Sequence, residues 1–345
     1  MAKAVRARQT ALKKRVAAHT RGGRFPSAGV DPFDGRKKIR IGVSSCLLGE
    51  KVRFDGRDKF DSYLVRTMGR YFDFVPVCPE VGIGLGVPRM PIQLVGTSKP
   101  PRAVGVYDPT LDVTDRLSVY ARRMARKLAK NISGYVFKSG SPSCGLQGVA
   151  IHSTGGAQNG RGVYAAAFLA TCSLVPAEEE GALGDPELRA NFINRVIAYH
   201  RWQRLVTTRL TAAKLIGFHS AHKLSLMAHS QSQYRALGRL VAQAGRSELT
   251  VLREKYIHGF MHALQQPATR AGHSNVLMHL MGYLKNDLDV SAKQELLALI
   301  HNYRQGRIPR MLPLGVLRHY FKCHPHPYVD AQVYMEALPA ELMSR

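Results

Sequence analysis

The chain has 345 residues, a length that predicts two to three domains. Hydrophobic residues make up 45% of it and charged residues 21%, which is typical of a folded protein and excludes a wholly disordered chain. No run approaches the ~20 consecutive apolar residues of a membrane helix, and no apolar signal segment follows the start methionine. We therefore expect a cytoplasmic protein that does not enter a membrane.

The net charge is the strongest signal in the composition. Fifty Lys and Arg residues against 24 Asp and Glu residues leave +26, with a sequence pI near 10.2. A field of this sign attracts polyanions, so nucleic acid is the first partner to consider. Anionic lipid is less favoured, because the basic residues are spread along the chain and form no single amphipathic stripe.

Residues 1–38 form the first distinct segment, rich in Arg, Lys and Gly, with no acidic residue before Asp31. This composition is typical of a flexible basic arm that contacts phosphates. It also fits a cleavable organelle presequence, or a start codon placed too early. The basic remainder of the chain favours the arm.

Residues 39–187 alternate between strand and helix patterns. The segments IRIGVSS, DFVPV and GYVFKSG predict strands, and KFDSYLVRTMGRYF and LSVYARRMARKLAKNI predict helices. Such alternation is typical of a Rossmann-like α/β domain with a mostly parallel sheet.

Residues 188–345 predict an all-α domain. Successive segments there have helical period with short polar breaks between them. We expect Ser274 and Ser291 to cap two of these helices, and Gly306 with Pro309 to end one.

Five cysteines are an odd number for a disulfide framework, and their positions separate them into two groups. Cys46, Cys78 and Cys144 each follow a predicted strand, and strand ends of an open α/β sheet meet at one edge, where ligands bind. Cys172 and Cys323 lack this setting and are interpreted as structural. Three convergent thiols could hold zinc or a 4Fe-4S cluster with one iron left open, and the spacing alone does not separate the two.

Several blocks of this sequence resemble a known family. SSCLLGEKVRFDG, VPVCPEVGIGLGVPRMP, KSGSPSCG and GVYAAAF are similar to segments of the thiouracil desulfidase family. FHSAHKLSLMAHS, NVLMHLMGYLK and YRQGRIPRMLPLGVL resemble the helical domain fused to it in bacterial tRNA 4-thiouridine desulfidases. The resemblance implies a 4Fe-4S cluster on Cys46, Cys78 and Cys144, a tRNA partner, and conversion of 4-thiouridine to uridine.

Two residues near the cysteines are candidates for the proton transfers of that reaction. The resemblance implies a serine beside the cluster, which falls on Ser141; turn formation is the plainer interpretation of a serine in such a loop. Glu80 is the nearest carboxylate in the second block and is a candidate general base.

Further candidates would bind the substrate. Asp55, Arg57 and Arg89 lie in the same blocks, and an arginine can grip a phosphate or a pyrimidine oxygen. In the helical half we expect Lys223, Arg304 and Arg307 to contact RNA, with nearby histidines able to stack on bases. Solvated surface charge and ordinary core histidines are the plainer interpretation.

Three hypotheses on function remain at this point. The first is a desulfidase acting on thiolated tRNA, and the second is a desulfidase acting on a free thiopyrimidine. The third is a redox-responsive iron–sulfur protein that binds nucleic acid without chemistry. The charge and the helical half favour tRNA, and the oligomeric state is not predicted.

Overall fold

A computed structural model describes residue 33 and residues 38–96, 100–153, 158–245 and 248–343. The predicted basic arm over residues 1–38 falls almost wholly outside these ranges. Within them, no helix combines the length and the apolar character needed to cross a bilayer.

The N-terminal half contains a four-stranded parallel sheet, as the alternating pattern predicts. Its strands are β1 (Ile39–Ser44), β2 (Phe72–Val77), β5 (Gly134–Phe137) and β8 (Ala177–Glu179), in the spatial order β2-β1-β5-β8. Every neighbouring pair is parallel. The three strands that precede the predicted cysteine ligands, β2, β1 and β5, are therefore adjacent, and their carboxyl ends lie side by side.

Alternation along β1 and β5 gives this sheet two buried faces. Ile39, Ile41 and Val43 pack on one face, whereas Tyr135 and Phe137 point into a core on the other. The latter core contains α2 (Thr114–Leu128) and α3 (Val163–Thr171), and a short helix α1 (Pro79–Gly82) follows β2.

A second four-stranded sheet was not expected from the sequence. It consists of β3 (Ile92–Val95), β4 (Arg102–Gly105), β6 (Val149–His152) and β7 (Gln158–Gly160), in the order β4-β3-β6-β7, and mixes parallel and antiparallel pairs. Its strands have three or four residues, too few for a periodic pattern to be recognised. The helix predicted over KFDSYLVRTMGRYF is reduced to a π-turn (Tyr63–Thr67) and a 3-10 turn (Met68–Arg70).

The C-terminal half is helical, as predicted. Its helices are α4 (Pro186–Thr207), α5 (Ala212–Ala221), α6 (Lys223–His229), α7 (Gln231–Val241), α8 (Leu249–Gln265), α9 (Arg270–Tyr283), α10 (Val290–Arg304), α11 (Met311–Cys323), α12 (Pro327–Asp330) and α13 (Ala340–Met343).

Two predicted helix caps are wrong. Thr269 caps α9 and Asp289 caps α10, each through a side-chain oxygen that accepts a backbone N–H three residues on. Ser274 and Ser291 lie inside those helices instead. The predicted end of α10 is confirmed, because Gly306 adopts a left-handed conformation (φ 78°) just after it.

The junction between the halves is a packed surface. Helix α4 begins at Pro186, after Asp185 caps its first turn, and it buries Phe192, Ile193 and Val196 in the same core as Ile39 and Ile41 of β1. The first helix of the helical half therefore covers one face of the parallel sheet.

Candidate functional site: a thiol cavity at the strand ends

The structure brings the three predicted ligand cysteines into the wall of one cavity, called the thiol cavity here. Cys46 lies in a 3-10 turn (Ser45–Leu48) after β1, Cys78 lies directly after β2, and Cys144 lies in the loop after β5. The cavity has a volume of about 230 Å³. Three positions separated by 32 and 66 residues thus meet because the three strands are adjacent.

Burial favours the protonated form of each of the three thiols. Burial, together with the neighbouring Cys78, raises the pKa of Cys46 to about 11. Burial likewise raises the pKa of Cys78 and that of Cys144. Within the part of the chain that is described, no three His, Cys, Asp or Glu side chains form a site for one metal ion.

The loop that carries Cys144 is held by its own serines. The Ser141 hydroxyl oxygen accepts hydrogen bonds from the backbone N–H groups of Ser143 (3.2 Å) and Cys144 (3.1 Å), and Gly140 has a φ of 65°. Ser141 also lines the thiol cavity. It therefore forms the turn expected of a serine in this loop, and its catalytic role stays a prediction.

Glu80 lines the same cavity and is held by three hydrogen bonds. Arg89 donates to its Oε2 from Nε (2.9 Å) and from a terminal nitrogen (2.7 Å), and the Ser143 hydroxyl donates to Oε1 (2.9 Å). Arg89, expected to bind substrate, thus fixes the orientation of the candidate base.

The loop after Cys46 contributes Arg53 and Phe54 to the cavity wall. Asp55 accepts hydrogen bonds from Arg53 and from Arg57. Burial opposes ionisation of Asp55, but these hydrogen bonds prevail and lower its pKa to about 2. Asp55 and Arg57 are outside the cavity lining, and the Arg57 side chain is 81% exposed. Asp55 therefore positions Arg53 instead of facing the cavity.

Three comparisons identify relatives of this chain. A model of the 2-thiouracil desulfurase family matches residues 41–180, and a model of the DUF1722 family matches residues 223–339. The Escherichia coli (strain K12) protein YbgA is 37% identical over 146 residues, which are 42% of this chain and 86% of YbgA. A solved structure of the 4Fe-4S-dependent thiouracil desulfidase TudS is 31% identical, with a TM-score of 0.36, and covers 46% of this chain and 99% of TudS.

The chain belongs to the family that joins a 2-thiouracil desulfurase domain to a DUF1722 domain. The thiol cavity lies within the desulfurase domain, and all three cysteines fall inside the matched residues. The N-terminal half is thus a desulfidase domain.

The thiol cavity also contains a lysine and a serine, bound to a glutamate, that the sequence analysis missed. Lys138 and Ser139 line the cavity, and both donate hydrogen bonds to Glu180, which follows β8. Ser139 also donates its backbone N–H to Glu180 Oε2 (2.8 Å). Lys138 directly follows β5, so the rule that found the cysteines would have found it too.

The remaining predicted site residues lie in the helical half, away from the thiol cavity lining. Lys223 begins α6 and is partly buried, and burial lowers its pKa. Arg304 and Arg307 are exposed at the end of α10. Cys172 is buried and donates to Ala125 O (3.4 Å), consistent with a structural role, whereas Cys323 is exposed.

Proposed function

We propose that the protein removes sulfur from 4-thiouridine in tRNA, using a 4Fe-4S cluster held by Cys46, Cys78 and Cys144. The convergence of these three thiols beside an oriented carboxylate carries the proposal. The family match supports a desulfidase, and the net charge of +26 supports a nucleic-acid substrate.

The chemistry of the cavity residues fits such a cluster. Thiolates are the ligands of iron–sulfur clusters, and the raised pKa of Cys46 means that iron must displace its proton on binding. The cations of the cavity are already paired, Arg53 with Asp55, Arg89 with Glu80 and Lys138 with Glu180. They therefore do not stabilise free thiolates strongly. Bound iron would provide that stabilisation. When bound, the cluster supplies an iron without a cysteine ligand that can polarise C=S and accept sulfur.

The reaction balances as a hydrolysis without electron transfer. Water supplies the oxygen that replaces sulfur at the pyrimidine carbon, and its two protons leave with the sulfur as hydrogen sulfide. A base must therefore take a proton from water and an acid must return one to the leaving sulfur.

Glu80 is the base in this proposal. A carboxylate offers about four acceptor positions, and Arg89 and Ser143 occupy three of them. The remaining position is on Oε1, which can accept a hydrogen bond from water. The guanidinium of Arg89 keeps the carboxylate in one orientation, which lowers the entropic cost of reaching a reactive geometry.

Phe54 provides a surface for the pyrimidine ring. It lines the cavity, remains 38% exposed, and has the Arg53 guanidinium 5.4 Å from its ring centre. Exposed aromatic rings with adjacent arginines are typical stacking partners for unpaired bases. The thiopyrimidine would have to leave its stack in the RNA to reach the cavity.

The test is incubation of anaerobically purified protein with bulk bacterial tRNA, followed by nucleoside analysis. We expect 4-thiouridine to decrease and uridine and sulfide to increase in equal amounts, with no change for Cys46→Ala. Free 2-thiouracil and 4-thiouridine are assayed alongside.

The alternative outcomes separate the other two hypotheses. Turnover of the free base without turnover of tRNA would support a desulfidase for small thiopyrimidines, which the family description and the small cavity favour. Unchanged thionucleosides with tight tRNA binding would support a redox-responsive binding protein.

A further inference from the structure

A second cavity, of about 100 Å³, lies in the helical half and is called the arginine cavity here. Helices α4, α6 and α11 and residues 333–336 contribute to its wall. Four arginines line it, namely Arg195, Arg201, Arg310 and Arg318, and Glu336 is the one carboxylate among the described lining residues. None of these residues belongs to the thiol cavity.

The positive charge of the arginine cavity is only partly balanced. Arg195 pairs with Glu178 of β8, and Arg201 pairs with Glu336. Arg318 donates to the backbone carbonyls of Met335 and Glu336. Among the described residues, neither Arg310 nor Arg318 has a carboxylate within 4.0 Å.

Arg310 is instead paired with a neutral histidine. It donates to His273 Nε2 (2.7 Å), and the other ring nitrogen of His273 contacts the Tyr334 hydroxyl (2.8 Å). A guanidinium can only donate, so His273 Nε2 must carry a lone pair. Burial and the neighbouring Arg310 lower the pKa of His273 to about 2, so the ring is neutral and does not balance the charge of Arg310.

Two buried nitrogen atoms of the cavity wall lack a hydrogen-bond partner among the described residues. Arg195 Nε and His222 Nε2 have no hydrogen bond within the described part of the chain. The Arg195 side chain is only 8% exposed and His222 is 3% exposed. Arg195 Nε–H can only donate, so this buried group lacks an acceptor, which an anion would supply. His222 donates from Nδ1 to Phe218 O, so its Nε2 is an acceptor and does not point to an anion.

We propose that the arginine cavity binds a phosphate group. Converging guanidinium groups match the oxygens of phosphate in geometry and charge, and an anion would satisfy Arg195 Nε and balance Arg310 and Arg318. The cavity is too small for a whole nucleoside, so the phosphate enters while the rest of the ligand stays outside.

The phosphate has two conceivable sources, an RNA or a small phosphorylated molecule. The RNA source rests on the proposed function, because a tRNA desulfidase needs phosphate contacts beyond the reacting base. The phosphate site itself does not depend on the thiol cavity, since the two share no lining residue.

Inorganic phosphate is the first probe, titrated by calorimetry into the full chain at constant ionic strength, with chloride as the counter-salt. Arg310→Gln removes an unbalanced cation and keeps a donor for His273, and we expect it to weaken phosphate binding roughly tenfold or more, since a hydrogen bond to a charged group is lost. Arg310→Lys retains the charge without the planar fork, and should lose less.

The matched control is Arg239→Gln, which removes an exposed arginine of α7 outside the arginine cavity. Its phosphate dissociation constant should equal that of the unaltered protein. Equal constants for the unaltered protein and both Arg310 variants, or no phosphate binding at all, would overturn the site. Thermal unfolding of each variant checks that the fold is intact, and Arg310→Lys serves if Arg310→Gln does not fold.

Competition with tRNA distinguishes the sources. If RNA supplies the phosphate, inorganic phosphate displaces tRNA from the unaltered protein and has much less effect on Arg310→Gln; tRNA without its 5′-terminal phosphate shows whether the terminal group is the one bound. Phosphate binding without competition would overturn the RNA source and leave a small phosphorylated molecule. Because the readout is binding, failure of the desulfidase proposal would not change it.

Discussion

The two cavities differ in how their charges are arranged. In the thiol cavity, each of Arg53, Arg89 and Lys138 pairs with a carboxylate. In the arginine cavity, Arg310 and Arg318 lack such a partner within the described residues, and a buried nitrogen of Arg195 is unsatisfied.

This difference indicates two kinds of site. Paired charges are held in fixed positions and orient groups, as Arg89 orients Glu80. Partly buried cations without a carboxylate partner favour binding of an anion, which would supply the missing negative charge. The comparison therefore predicts chemistry in the first cavity and recognition in the second.

The largest expected effect is loss of the three thiols. Cys46→Ala, Cys78→Ala or Cys144→Ala should each abolish iron binding and desulfidase activity, because each removes one of three ligands. Iron and sulfide analysis with visible absorption of anaerobic protein measures this. Cys323→Ala, at an exposed cysteine, should retain full iron content; if it lost iron as well, the assignment of the ligands would be wrong.

Substitution of the candidate base comes next. Glu80→Gln keeps the shape of the side chain and removes its basicity, so we expect kcat to fall about 100-fold or more. Iron content should be unchanged, which separates a catalytic effect from loss of the cluster. A kcat within a few-fold of the unaltered protein would exclude Glu80 as the base.

Loss of stability in acid should begin in the helical half. Burial lowers the pKa of His219 to about 4 and that of His222 to about 3, so the unfolded chain binds protons that the folded chain does not. Stability present above pH 6.5 is therefore lost as the pH falls towards 4, by roughly 4 kcal/mol between pH 7 and 5 for the two histidines.

The α/β half should respond at lower pH. Carboxylates such as Asp55, with a pKa of about 2, contribute stability that is lost only as the pH falls below their pKa in the unfolded chain, near 4. Circular dichroism and the fluorescence of the single tryptophan, Trp202 in α4, measure the loss of stability in both pH ranges. His219→Gln should flatten the dependence between pH 6.5 and 4, and the exposed His279→Gln should not.

The smallest expected effect is that of replacing Phe54, the proposed stacking surface for the pyrimidine ring. Phe54→Ala should raise KM for tRNA about tenfold while changing kcat little, since stacking of one base contributes ~1–3 kcal/mol. Phe54→Tyr keeps an aromatic face and should behave like the unaltered protein. A fall in kcat without a change in KM would show that Phe54 does not bind the base.

The thiol cavity was predictable because a parallel sheet follows a rule. Cys46, Cys78 and Cys144 each come after a strand, and the strand ends of such a sheet share an edge. The role of Asp55 was not predictable, because local side-chain hydrogen bonds decide that it faces Arg53 and not the cavity.

The sequence does not predict which arginines meet in the arginine cavity. Arg195, Arg310 and Arg318 meet only through the packing of α4 and α11 and the segment that follows, and helical period does not encode how helices cross. The helix caps show the same limit on a smaller scale: Thr269 and Ser274 are both good cap residues, and only the packing of α9 decides between them.

Strand β8 and the residue that follows it connect the two cavities through ion pairs. Glu178 on this strand binds Arg195 of α4, and Glu180 just beyond it binds Lys138 beside the thiol cavity. Helix α4 is thus fixed to the sheet by an ion pair and by its buried face, so the wall that α4 contributes to the arginine cavity keeps its position relative to the strand ends at the thiol cavity.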